Sequence, residues 1–239
     1  MLRLSDLEAM SAPASLSIVV PVLDEAAMVV AVLGELAPLR ARGVELIVVD
    51  GGSTDDTVAL ARPHADAVIA APRGCARQMN AGAALARGDV LLFLHADTHL
   101  PPGADLVIRE ALTSVPSGSA WGRFDVDIDG RAGMLRVIAA LMNRRSRWSG
   151  IATGDQAMFM TRAAYDAVEG VPDQPLMDDI EMSKRLGRLG RPVCVRERVT
   201  TSGRRWEQCG VWRTILLMWR LRFLYWVGVD PRRLAPKYR

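Results

Sequence analysis

Lysine is nearly missing from this chain: of its 30 basic residues only Lys184 and Lys237 are not arginine. Cysteine is almost as scarce. Cys75, Cys194 and Cys209 are an odd, scattered set without metal-ligand spacing, which excludes a zinc ribbon and a disulfide framework and leads us to expect reduced thiols in a cytosolic protein. There is no Walker phosphate loop and no Rossmann glycine fingerprint. Residues 1–14 hold no apolar run of signal-peptide type and are expected to form a flexible tail. No internal repeat or low-complexity segment occurs. Asp125-Val-Asp-Ile-Asp-Gly130 imitates the opening of a calcium loop, but Arg136 stands where the closing bidentate glutamate belongs, so that reading is excluded.

What is present suits one globular domain with a large core: 239 residues, 50% hydrophobic and 24% charged. The net charge of +3 hides a split. From Lys184 to Arg239 there are 15 basic and 3 acidic residues, +12, which leaves −9 on the rest of the chain. A basic C-terminal part suits an anionic partner, whether phosphates, an anionic membrane surface or nucleic acid; for the protein as a whole no nucleic-acid partner is expected.

Ser15 to Val22 is β-branched and predicts a strand, with Pro21 near its end. Asp24-Glu25 is expected to open a helix reaching about Arg40, its acids at the end where the helix dipole favours them. Glu45 to Val49 predicts a second strand, ending in Asp50. In the following turn Ser53 is expected to cap a helix, with Asp56 as its capping-box partner. Ala67 to Ala70 is a short strand, an alanine-rich helix ends near Gly88, and Val90 to Leu94 is an apolar run buried on both faces. Four strand–helix alternations predict a Rossmann-like, doubly wound, mostly parallel α/β sheet. Further on, a strand is expected over 120–128, helices over 104–115, 133–145, 161–168 and 179–189, and short strands over 157–160, 193–195 and 199–201.

Asp50 and Asp97 both follow buried strands, at the sheet edge where ligands bind. A cation-dependent phosphate or nucleotide site is the reading this favours. Five motifs then fall in a particular order: Ile18 to Glu25, Val48 to Asp55, Ala76 to Gly82 with Gly88-Asp89, His95-Ala96-Asp97, and Met177-Asp178-Asp179. Over roughly residues 16–206 this series resembles the family 2 glycosyltransferases. The resemblance implies a GT-A fold over 15–206, a nucleotide-sugar donor and a Mg²⁺ or Mn²⁺ ion. Asp97 is the implied metal ligand, with Ala96 in place of the first acid of the usual pair. Pro21, Leu23, Glu25, Asp50, Gly51 and Ala96 are the implied donor contacts. Gly51 stands where many relatives have a second acid, so no uridine preference is carried over. Arg77 is either a diphosphate partner or a surface arginine. His95 and His99 flank Asp97 and offer the weaker alternative of a three-ligand site.

Asp179, in the first turn of a helix beside Asp178, is the expected general base of an inverting transfer. Adjacent carboxylates raise each other's proton affinity and bring a base toward working pH. Gly203-Arg204-Arg205-Trp206 partly resembles an Arg-Trp motif of processive members, but Ser202 stands where those have glutamine. Arg204 and Arg205 are expected on the donor diphosphate and Trp206 against the acceptor. Asp155 and Gln156, in a glycine-rich loop, are further acceptor contacts. The rivals are a sugar-phosphate nucleotidyltransferase and a non-catalytic lipid- or nucleotide-binding scaffold.

Residues 207–239 read as a basic, tryptophan-rich helix and tail. Trp212, Trp219 and Trp226 recur every seven residues, and Arg213, Arg220 and Arg222 argue against a membrane span. This hydrophobic C-terminal helix lies on the inner face of the cell membrane, packs on the domain, or pairs with a second subunit as a homodimer. A lipid-like acceptor fits the first case. The assignment as a whole requires Asp50, Asp97 and Asp179 to converge on one crevice.

Overall fold

The structure, a computed structural model, describes residues 15–115 and 120–238; the tail expected at residues 1–14 lies outside the described residues. The first half runs β1 (Leu16–Val22), α1 (Val29–Glu35), α2 (Ala37–Ala41), β2 (Glu45–Asp50), α3 (Thr57–Ala61), β3 (Ala67–Ala70), α4 (Cys75–Leu85) and β4 (Val90–Phe93). The second half runs β5 (Thr98–His99), α5 (Ala104–Thr113), β6 (Trp121–Asp129), α6 (Met134–Ser149), β7 (Met158–Thr161), α7 (Arg162–Ala167), α8 (Asp178–Leu186) and β8 (Val193–Ser202). Helices α9 (Arg204–Cys209), α10 (Val211–Trp226) and α11 (Pro231–Leu234) follow.

The eight strands form one sheet in the order β3-β2-β1-β4-β7-β6-β8-β5. Strands β1 to β4 are parallel. Strand β7 pairs antiparallel with both β4 and β6, while β6 and β8 run parallel. Side chains alternate across a strand, so each central strand feeds two cores. Ile18, Val20, Leu46, Val48 and Leu92 pack with α1, α2, α5 and α6 on one face. Val19, Ile47, Val49, Leu91 and Phe93 pack with α4, α7 and α8 on the other. Each such side chain, fully removed from water, contributes roughly 1.5–3 kcal/mol.

Three local expectations change. The helix expected from Asp24 begins only at Val29, because Asp24 is held at φ 53° by the neighbouring turn, and it breaks at Leu36, with Pro38 in the first turn of α2. Ser53 does not cap a helix: its hydroxyl serves the Asp50 turn, and the helix starts at Thr57. The two strands expected over 193–195 and 199–201 are one. The charged run Arg196-Glu197-Arg198 between them is exposed where the register with β6 shifts, so the ladder bulges instead of ending. No described helix is long and apolar enough to cross a membrane.

Candidate active site

The C-terminal ends of β2, β1 and β4 carry the first group of polar residues. Asp50 ends β2, and its carboxylate accepts the N–H groups of Gly52 and Ser53 at 3.0 and 3.1 Å and the Ser53 hydroxyl. The Ser53 hydroxyl accepts the Asp24 N–H at 2.9 Å, and Asp24 accepts the Thr54 N–H at 2.8 Å. The turns after β1 and β2 are therefore laced together. Gln78 on α4 secures them from below, donating from Nε2 to the carbonyls of Val22 and Val49, both at 2.8 Å. Gly51 is required here, since a Cβ would come within 2.8 Å of Gln78 Oε1. Pro21 pairs in the ladder opposite Val49, and Leu23 follows half-buried in the turn.

Past β4 the chain delivers His95, Ala96 and Asp97. Ala96 is buried in the core, whereas Asp97 remains half-exposed. Asp97 is near enough to Glu25 to disfavour its charge. Burial pushes the Glu25 carboxyl up, Arg204 at 3.7 Å pulls it back, and Asp97 adds to the rise. Asp97, Glu25 and Arg204 thus gather from three distant stretches. His95 turns the other way: its Nε2 lies 3.9 Å from Cys75 Sγ. Burial pulls the imidazole down, but Cys75 and the carboxylates of Asp155 and Asp97 outweigh it and favour the protonated ring. His99 instead hydrogen-bonds Glu35 at 2.7 Å, so a site of His95, Asp97 and His99 does not assemble.

The second group lines a cavity of about 250 Å³. Asp155, Asp178 and Asp179 share it with His95, Cys75, Arg222 and Tyr238, and much of the remaining wall is methionine: Met79, Met158, Met177, Met182 and Met218. The acid pair opens α8 after Met177, which is held at φ 63°; Ala157, closing the turn of Asp155, is held at φ 45°. Strained backbone on both sides of the acids is characteristic of functional sites. Asp179 Oδ2 accepts the Gly154 N–H at 3.2 Å, tying the two acidic segments together. A side chain at Gly154 would strike the His95 ring, so only glycine allows this approach. Burial, then the Asp179 carboxylate, push Asp178 up to about 6. Asp155 is also raised, by burial and by Asp97 and Asp179, against the pull of His95 and Arg222.

The expected convergence is therefore partial. Asp97 and Asp179 both act on Asp155, but neither Asp97 nor Asp50 lines the cavity, and Asp50 ends a strand two places from β4. Other expected residues are engaged elsewhere. Arg77 pairs with Asp173 at 3.0 Å. Gln156 is fully buried and bonded to Thr153 and Asn143, holding the turn that presents Asp155. Arg205 stacks on the Tyr238 ring at 3.5 Å and donates to the Tyr238 carbonyl, and Trp206 packs on the core. Sequence reasoning missed Gln78, Arg145, Arg222 and Tyr238. The one available signal is an arginine at 222 inside an apolar helix, which in the sequence argues only against a membrane span.

Among the described residues no three His, Cys, Asp or Glu gather as a metal-ligand set. The donor chemistry fits a more limited role. Asp97 offers hard carboxylate oxygens beside a second carboxylate, Glu25, whose repulsion a cation would relieve, and a hard cation completes its coordination with phosphate oxygens.

Comparison with known proteins gives consistent matches. The family model described as "Glycosyl transferase family 2" matches residues 17–167. A protein of Mycobacterium bovis named "PGL/p-HBAD biosynthesis glycosyltransferase" is 32% identical over 169 residues, covering 66% of this chain and 59% of the relative. The chain thus spans less than two thirds of that relative's length. A mannosyltransferase of Pyrobaculum calidifontis, solved with GDP-Man and Mn²⁺, superposes with a TM-score of 0.65 at 18% identity, over 95% of this chain and 68% of that one. The S. aureus protein TarS, solved with UDP-GlcNAc, gives 0.64 at 15% identity, over 79% and 58%. At these identities the structures establish a shared fold, the GT-A arrangement.

Proposed function

The chain belongs to glycosyl transferase family 2, and from that membership we propose that it moves a sugar from a nucleotide-diphosphate donor to an acceptor hydroxyl, inverting the anomeric centre. The observation that carries this reading is the Asp178–Asp179 pair on the wall of a cavity, adjoining the Asp97 edge through Asp155. Asp50 and the end of β4 are two strand spacings apart, about 10 Å, a separation that a nucleoside diphosphate can span. The base and ribose then lie over the Asp50 turn and the diphosphate at Asp97.

A divalent cation bound there with Asp97 would supply charge stabilisation of the departing diphosphate. Arg204, poised by Glu25, adds a second positive charge at the same edge. Asp179, fixed by the Gly154 N–H, takes the proton of the acceptor hydroxyl, and Asp178 beside it raises the proton affinity of the pair. The methionine wall supports an acceptor with an apolar body, because thioethers adapt to irregular apolar surfaces and offer sugars few hydrogen bonds.

Such an acceptor also accounts for α10. Trp212, Leu216, Trp219, Phe223 and Trp226 are exposed and fall on one helical face, and α10 contains no acidic residue. A second copy packed on this face would set arginine against arginine. An anionic lipid surface instead matches both the tryptophans and the arginines, so we assign the face to peripheral membrane contact.

The experiment is donor turnover: the full chain is incubated with a panel of nucleotide sugars and Mn²⁺ or Mg²⁺, and nucleoside diphosphate release is measured. One donor should be consumed, and Asp97→Ala should slow its consumption at least 100-fold. Binding of no donor, or full activity in Asp97→Ala, refutes the assignment.

A further inference from the structure

Elsewhere the fold gives its buried guanidinium groups partners. Arg162 donates to the carbonyls of Ala83 and Ala86 at 2.8 and 2.7 Å. Arg123, fully buried, is held by the Asp125 carboxylate and the carbonyls of Phe124 and Asn143, with only its Nε unmatched. Among the described residues two arginines depart from this, and both stand by the acid-lined cavity. Nε and Nη2 of Arg145, on α6, and Nε of Arg222, on α10, are buried with no acceptor. Arg222 lines the cavity with Asp155, Asp178, Asp179 and Tyr238. Arg145 is close enough that the two positive charges oppose each other, with Asp179 as partial counterweight. Burial first, and then Arg222, bring Arg145 down to about 10, which leaves it cationic at neutral pH.

Two half-buried guanidinium groups, each with buried N–H atoms that find no acceptor, lack an oxyanion. Guanidinium forks match the oxygens of phosphate and carboxylate, and a charge-assisted bond would relieve both the unmatched donors and the mutual repulsion. We propose that Arg145 and Arg222 form an anion-binding subsite beside the acid pair, and that the acceptor carries a phosphate or carboxylate group held there. Anion binding stands on the two arginines alone; its attribution to the acceptor rests on the transferase reading above.

The position separates this anion from the donor diphosphate. Arg222 shares its cavity with Asp178 and Asp179, whereas Asp50, Asp97, Glu25 and Arg204 line no part of it. The acceptor would then be amphiphilic, its apolar body on the methionines and its anionic group at the arginines. The anion also has a chemical effect. A negative charge brought close to Asp178 and Asp179 favours their protonated form, so acceptor binding itself makes the pair a stronger base.

The test is a calorimetric titration of inorganic phosphate into the full chain, with Mg²⁺ and saturating nucleoside diphosphate present so that the donor edge is filled. One saturable phosphate site is expected. Its affinity should fall at least tenfold in Arg222→Met and in Arg145→Met and recover in part in Arg222→Lys, with nucleoside diphosphate affinity within twofold of wild type throughout. No phosphate binding by wild type, unchanged phosphate binding in the methionine variants, or parallel loss of nucleoside diphosphate binding overturns the proposal. If Arg145→Met does not fold, the two Arg222 variants carry the same comparison. Failure of the transferase reading appears separately, as wild-type protein that binds no nucleoside diphosphate; the phosphate titration still reports on the subsite.

Discussion

Replacing Asp178 by asparagine should make the protein more stable and less active, and the gain in stability should depend on pH. Burial and the adjacent Asp179 hold the Asp178 carboxyl at about 6, against 3.8 for an ordinary aspartate. That displacement corresponds to about 3 kcal/mol, and since the side chain is only half-buried we take about 2 kcal/mol as the working figure. The sign follows from which state binds the proton more tightly. Well below 3.8 the carboxyl is neutral in folded and unfolded chains and costs nothing. Between about pH 4 and 6 the unfolded chain gives up its proton first, so stability falls as pH rises. Above about pH 6 the whole cost is present, and asparagine, nearly the same shape, removes it. Urea denaturation at pH 7.5 should therefore show Asp178→Asn more stable by about 2 kcal/mol, a rise in Tm of about 4–8 °C, and at about pH 3 the difference should all but vanish. Donor turnover should move the opposite way, because the remaining carboxyl loses the neighbour that raises its proton affinity. A variant that is destabilised at pH 7.5, or stabilised equally at both pH values, would refute the electrostatic account of the pair.

Two further outcomes follow from contacts described above. Gln78→Leu removes the side-chain donor to the Val49 carbonyl and one of two donors to the Val22 carbonyl, which keeps the Gly51 N–H, and should destabilise the fold by about 1–3 kcal/mol in urea while weakening nucleoside diphosphate affinity in calorimetry. Trp219→Ser with Trp226→Ser, at positions 68% and 78% exposed, should leave the unfolding midpoint unchanged yet abolish co-flotation with vesicles containing anionic lipid; a wild-type protein that fails to float with such vesicles removes the membrane assignment.

The parallel half of the sheet could be read from the sequence because its signals are local. Leu46 to Val49 and Val90 to Leu94 are unbroken apolar runs, and each precedes an aspartate at the ligand edge. The acid pair was equally plain, being adjacent in sequence at a helix start. Other features depend on partners far along the chain. Ser53 has the chemistry of a helix cap, yet Asp50 and Asp24 compete for its hydroxyl and win. Nothing near Arg77 announces Asp173, 96 residues away, as its partner. Trp206 and Arg205 were matched by motif to substrate, but packing against the core and against Tyr238 engages them first. Arg145 carries no local signal and Arg222 only that of an arginine in an apolar helix, because their meaning is an absence of partners, which only a three-dimensional arrangement reveals.

The grip of Arg205 on Tyr238 bears on how the protein is made. Asp50, Asp97 and the strands that present them all leave the ribosome within the first hundred residues or so, while one flank of the cavity waits for Met218, Arg222 and Tyr238. A nascent chain halted before those positions would have a formed nucleotide edge but an open side, where water could intercept a sugar meant for the acceptor. If the chain is the transferase proposed above, wasteful hydrolysis by partial chains, and its suppression once Tyr238 is clasped, would be the signature of a cavity whose last wall comes from residues 218–238.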